Sequence, residues 1–187
     1  MKRTYLYFIA LFTLIAGSFI SCSSDSEIAN KLYRQREYLL KEFKDKTVIS
    51  RGGIFYQLSY YKGQSVNTFY FEKKDTSLIL TKDTLQYPLS EITPFATVNI
   101  ADSSSYGKFL SDELSRLLRV MDDLEINHVS AEDRAAGIDM KIYFGDYKAL
   151  LYVSNIATVK NEIWKNYIQS GKKFDENWYY VKDELSK

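Results

Sequence analysis

The chain has 187 residues, 25 of them Lys or Arg, 24 Asp or Glu and one His, for a net charge of +1; this balance gives no electrostatic case for nucleic acid. One cysteine and one histidine exclude an internal disulfide, zinc-finger and CxxC chemistry, and multi-histidine metal sites. The bias is aromatic, with 16 Tyr, 11 Phe and two Trp against two Pro, and rings with a polar tip suit half-exposed strands and binding surfaces alike.

Lys2 and Arg3 precede an apolar run from Tyr5 to about Ile20, and Ser21-Cys22 and the polar residues 23–27 follow. That layout is an exported bacterial signal sequence. Over residues 1–27 the chain resembles a bacterial lipoprotein precursor. Phe19-Ile20-Ser21-Cys22 stands where that class carries Leu, a small or branched residue, a small residue and Cys, with Phe19 as the departure. The resemblance implies cleavage before Cys22, lipid on its sulfur and acylation of the new amino terminus. Ser23, rather than Asp, after the cysteine implies outer-membrane residence, on the periplasmic or the outer side. An uncleaved anchor would need about 20 apolar residues where this run has roughly 16; a plain secretory signal is the other alternative. Removing residues 1–21 leaves 23 basic against 24 acidic residues, a net charge of −1. The expected organisation is a signal peptide (1–21), a lipidated N-terminus with a helix (22–46) and one α+β domain (47–187), divisible at 101/102.

Residues 24–46 read as a helix, opened by Ser24 and Glu27 at capping-box spacing. Ile28, Leu32, Leu39, Leu40 and Phe43 form its stripe, with a spacing gap at Gln35 and Arg36. From Thr47 the period changes to two. Ile54–Tyr61, Val66–Glu72 and Ser77–Thr81 read as strands, the first two joined through Lys62-Gly63-Gln64. Leu85–Leu89 and Thr97–Ile100 are candidate edge strands, since Pro88 and Pro94 disfavour central positions.

Ser103-Ser104-Ser105 caps an amphipathic helix from about Tyr106 to Ile126, whose apolar side is Leu110, Leu114, Leu117, Leu118, Met121 and Leu124. Ile138 to Ser154 then alternates around Gly145-Asp146. A two-residue turn there sets Phe144 opposite Tyr147, Ile142 opposite Ala149 and Met140 opposite Leu151. A helix from Ala157 to Ser170, with Val159, Ile163, Tyr167 and Ile168 inward and Gly171 as its C′ residue, leads to a last strand over Phe174–Lys182. The fold class is α+β: antiparallel sheet packed with about three helices.

No catalytic constellation emerges. His128 follows a helix end as a structural or surface residue, and G-x-S-x-G, H-E-x-x-H and phosphate-cradling loops are absent. Asp122, Asp123, Glu125, Glu132, Asp133 and Asp139 form an acidic run whose spacing matches no calcium loop. A solvated surface is the expectation for them, with calcium binding or a carboxylate-dependent hydrolase as alternatives. Tyr56, Tyr60 and Tyr70 are the binding candidates, should one sheet face be open. No metal and no cofactor is expected. The expected function is a non-catalytic, membrane-anchored interaction module with an envelope protein partner. A glycan or small-ligand binder using the strand aromatics is the alternative.

Overall fold

A computed structural model describes residues 25–92, 103–145 and 147–182. Cys22, the signal segment and the candidate strand at Thr97–Ile100 lie outside the described residues. The structure is α+β, and the described residues form four α-helices and nine strands in one antiparallel sheet.

The N-terminal helical stretch is two helices, α1 (Asp25–Arg34) and α2 (Arg36–Phe43). They part at Gln35, whose φ of −96° and ψ of 12° leave the helical region. The break falls at the spacing gap and re-aims the apolar stripe, so that Ala29, Leu32, Leu39 and Phe43 are all fully buried. The stretch therefore packs on the body rather than standing off as a stalk.

β1 (Lys46–Arg51), β2 (Phe55–Lys62), β3 (Ser65–Lys74) and β4 (Ser77–Thr84) form a meander. After α3 (Ser103–Asp123) come β5 (His128–Ser130), β6 (Met140–Tyr143), β7 (Lys148–Tyr152), α4 (Glu162–Ser170), β8 (Lys172–Lys173) and β9 (Trp178–Lys182). The strand order is β4-β3-β2-β1-β5-β6-β7-β9-β8. Only the pair Val48↔Val129 joins β1 to β5, and it makes the two strand groups one sheet. Residues 85–88 are not a strand, and Leu89–Glu91 is a 3-10 turn.

α1, α2 and α3 cover one face of the sheet. Leu58, Phe69, Phe71, Ile142, Leu150 and Trp178 meet Leu32, Phe43, Leu110, Leu114 and Leu117 there in one core. α3 ends because Glu125 takes φ 61° and the Ile126 N–H reaches back to the Met121 carbonyl at 2.8 Å, closing a Schellman turn.

On the opposite face a second core covers the β6–β7–β9 half. Ile138, Ala149, Leu151, Tyr179 and Val181 meet Val159, Trp164 and Ile168 there. α4 begins later than the sequence suggests: the Asn161 side chain caps it by accepting from Ile163 N–H at 2.8 Å, and Ile163 points outward. Gly171 is not a left-handed cap, its φ being −78°. A Cβ there would lie 2.5 Å from the Tyr180 carbonyl, so the residue is Gly because helix and strand approach too closely for a side chain.

The β6–β7 register differs by one residue from the two-residue-turn expectation. Ile142 pairs with Leu150 and Tyr143 with Ala149, and Phe144 N–H donates to the Lys148 carbonyl at 3.1 Å. Gly145 and Tyr147 take φ of 58° and 55°, and the connection runs three residues. A one-residue slip exchanges the faces of a strand. It passed unseen because Ala149-Leu150-Leu151 is apolar on both faces, as strands buried on both sides are. Lys141, on the face of β6 opposite Ile142, lies beneath α4 at 8% exposure because the second core covers that face; it is paired with Asp133 and 5.0 Å from the Trp164 ring centre.

Candidate binding surface

Alternation along β2 and β3 decides where each candidate tyrosine goes. Tyr56, Leu58 and Tyr60 face the core opposite Phe71, Phe69 and Asn67, and Tyr60 is only 4% exposed. Tyr70 emerges on the other face, opposite Gln57. The structure therefore brings Tyr56 and Tyr60 to one side of the sheet and Tyr70 to the other.

The second core stops short of β2, β3 and β4, so the face carrying Tyr70 is open there. One row across the strands reads Arg51, Phe55, Glu72, Ile79, and the next reads Ile49, Gln57, Tyr70, Lys82. Phe55 is 56% exposed, Ile79 43% and Tyr70 39%. Phe55 and Tyr70 sit on diagonal positions, within reach of large side chains, and Ile54 is exposed in the adjoining turn. The Lys82 ammonium lies 6.0 Å from the Tyr70 ring centre, and Lys74 pairs with Glu72 at 3.8 Å. Farther along, the surface turns polar and closed: Ser59 and Thr68 hydroxyls bond at 3.0 Å, and Thr47 accepts the Ala131 N–H at 2.9 Å. The result is a flat apolar patch with a charged rim, beside β4, the end strand of the sheet among the described residues.

Tyr60 instead floors a pocket of about 410 Å³ with Tyr61, Tyr87 and Ile92, ringed by Lys41, Lys44, Lys46, Lys62 and Arg134. Asp45 holds Arg134 at 3.0 Å and Glu91 holds Lys62 at 2.5 Å. Burial lowers the Lys46 ammonium below the usual lysine range, although Glu113 at 3.4 Å acts the other way. Burial, aided by Asp45 and Glu91, pushes the Tyr87 hydroxyl up to about 12, and that hydroxyl donates to the Tyr60 carbonyl at 2.9 Å. Burial likewise keeps the Tyr60 phenol protonated far above neutrality. Tyr56 borders a second pocket of about 390 Å³ between β1–β4 and the end of α3, with Lys73, Arg119 and Asp122 on its walls.

The acidic run disperses. Glu125 pairs with Lys31 at 2.7 Å, Asp133 with Lys141, and Asp139 accepts the Ser154 N–H at 2.7 Å. Among the described residues no group of three His, Cys, Asp or Glu side chains converges to hold a metal. His128 opens β5 after the turn that ends α3, and its ring stacks on Tyr143 with centres 4.0 Å apart. Sequence reasoning missed Tyr61 and Tyr87 as pocket walls and Lys141 as a buried cation. The first two lie in a strand end and a loop with no shared period, and a lysine in an alternating strand reads as solvent-facing.

No family model, no curated protein and no solved structure matches this chain.

Proposed function

We propose that the chain is a lipid-anchored lipoprotein of the outer membrane whose folded body is a non-catalytic protein-interaction module. The anchor reading is supported by the layout of residues 1–27, ending in Ser21-Cys22. The interaction reading is supported by one observation: Phe55, Tyr70 and Ile79 stand together, exposed, on a sheet face that is covered elsewhere by a second core. Flat apolar patches rimmed by charge suit protein partners, whereas small ligands favour concave sites. The rim of Arg51, Lys74 and Lys82 against Glu72 suits a partner whose own apolar centre carries acidic groups around it.

A photo-crosslinking residue placed in turn at Phe55, Tyr70 and Ile79 of the full chain in its own envelope tests this. All three positions should yield one protein adduct of the same mass, and Tyr38 and Ile163, exposed outside the patch, should not. Absent adducts, or equal adducts from all five positions, overturn the reading.

The glycan or small-ligand alternative is favoured by the concave pocket of Tyr60, Tyr61 and Tyr87. Saccharide binding lost in Tyr61→Ala, with the Phe55 adduct unchanged, would decide for it. For a hydrolase there is no comparable support: Glu125 is paired with Lys31, Asp133 with Lys141, and Asp139 accepts the Ser154 N–H.

A further inference from the structure

The anchor and the folded body are separated by very little chain. Between Cys22 and Asp25 lie three residue steps, which span at most about 10 Å even when fully extended. Asp25 is the first residue of α1 and is pinned to the body, since its carboxylate takes the Lys148 ammonium at 2.6 Å. α1 itself cannot swing away, because Ala29 and Leu32 are fully buried.

The surface around that point has its own character. Lys148 opens β7 directly after Tyr147, which stands 42% exposed at the β6–β7 tip with φ 55°. Positive φ is uncommon for an aromatic residue. Lys148 pairs in the sheet with Lys182, the described end of β9. Next to it a shallow site of about 550 Å³ is lined by Lys172, Lys182, Tyr167, Tyr180 and Ser170. Lys172 also reaches Asn30 on α1 at 3.3 Å. Among the described residues, Asp25 is engaged by Lys148 and Glu125 by Lys31.

We infer that this end of the molecule, the β6–β7 tip with the β8–β9 edge, is seated on the membrane surface, with Tyr147 in the interface and Lys172 and Lys182 against lipid phosphates. The inference rests on the lipoprotein reading. Tyrosine is the residue type enriched at the lipid–water boundary, and lysines act on an anionic surface only within about a Debye length of it, near 8 Å. The short tether, with Lys172 against Asn30 of α1 and Lys182 beside Lys148, keeps them close to that surface. It also fixes the orientation of the body, which a long flexible linker would not.

The test uses the full acylated chain in vesicles of phosphatidylethanolamine and phosphatidylglycerol, with a photo-crosslinking residue at Tyr147 or at Ile156. Ile156 is equally exposed but lies past the opposite end of β7. Phospholipid adducts should form from position 147 and not from 156. Lys172→Gln with Lys182→Gln should lower the position-147 adduct by about threefold or more in these vesicles and leave it unchanged in phosphatidylcholine. Intact mass of the Cys22 peptide is read in the same sample. If Cys22 carries lipid and positions 147 and 156 label alike, the seating is wrong and the lipoprotein reading stands. If Cys22 carries no lipid, both fall. A position-147 adduct indifferent to the two lysines and to lipid charge removes their assigned role.

Discussion

Tyr33 on α1 donates its hydroxyl proton to Asp175 Oδ2 at 2.8 Å, while its ring lies flat on Phe174 with centres 4.5 Å apart. The same carboxylate accepts the N–H groups of Asn177 and Trp178 at 2.8 and 2.9 Å through its other oxygen. One side chain thereby ties the first helix to the turn that starts the last strand.

Asp175 should make stability sensitive to acid. Burial alone would raise its carboxyl, but the N–H groups of Asn177 and Trp178, the Tyr33 hydroxyl and Arg36 outweigh it and hold it below the usual range. A carboxyl lowered on folding stabilises above its unfolded value near pH 4, and loses that contribution as pH falls through the folded value. Asp175→Asn should cost about 1 kcal/mol at pH 7 and less at pH 3, below the unfolded value. Urea melts at the two pH values check this; an equal loss at both would show that charge plays no part.

Lys141 and Ile142 should be comparably intolerant of charge. Ile142 lies in the helix-covered core, and Lys141 lies under α4 against Asp133. Ile142→Asp buries a charge without a partner, and Lys141→Asp sets two carboxylates together in a nearly closed site, so each should cost about 3–5 kcal/mol. A denaturant midpoint for Lys141→Asp within error of wild type would contradict the burial of Lys141 beneath α4.

Gly171→Ala and Gly107→Ala should move stability in opposite directions. At Gly171 the new Cβ meets the Tyr180 and Tyr167 carbonyls at 2.5 and 2.9 Å, whereas at Gly107, inside α3, it meets nothing within 4 Å. The first should destabilise by about 2 kcal/mol or more; the second should stabilise by about 0.5–1 kcal/mol through helix propensity. Thermal melts of the pair decide it.

Cys22 should carry the anchor. Metabolic labelling with a fatty-acid probe should mark the wild type and miss Cys22→Ala, which should also leave the membrane fraction. Equal labelling of both would sink the lipoprotein reading.

What could be read from the residues follows from how each element is buried. α3 and the β2–β3 hairpin each turn one side to the core and leave the other largely exposed, so period and spacing located them. β7 is buried on both sides and carries no alternation to fix its register, and β5 is three residues long, too short to have a period. The tyrosines show the same limit at the candidate surface. Alternation separates Tyr70 from Phe69 and Phe71, but which side stays open depends on where α4 stops, a long-range fact that no local pattern encodes.

The tie between Tyr33 and Asp175 joins residues 142 positions apart, and this orders events in time. At 5–20 residues per second, a ribosome needs roughly 7–30 s between making one and making the other. Until its partners on the sheet are made, α1, a ten-residue helix, is too short to persist in water, and it gains the Asp175 contact only after β7 and the residues that follow it. The tie that holds α1 to the turn before β9 is therefore among the late contacts to form.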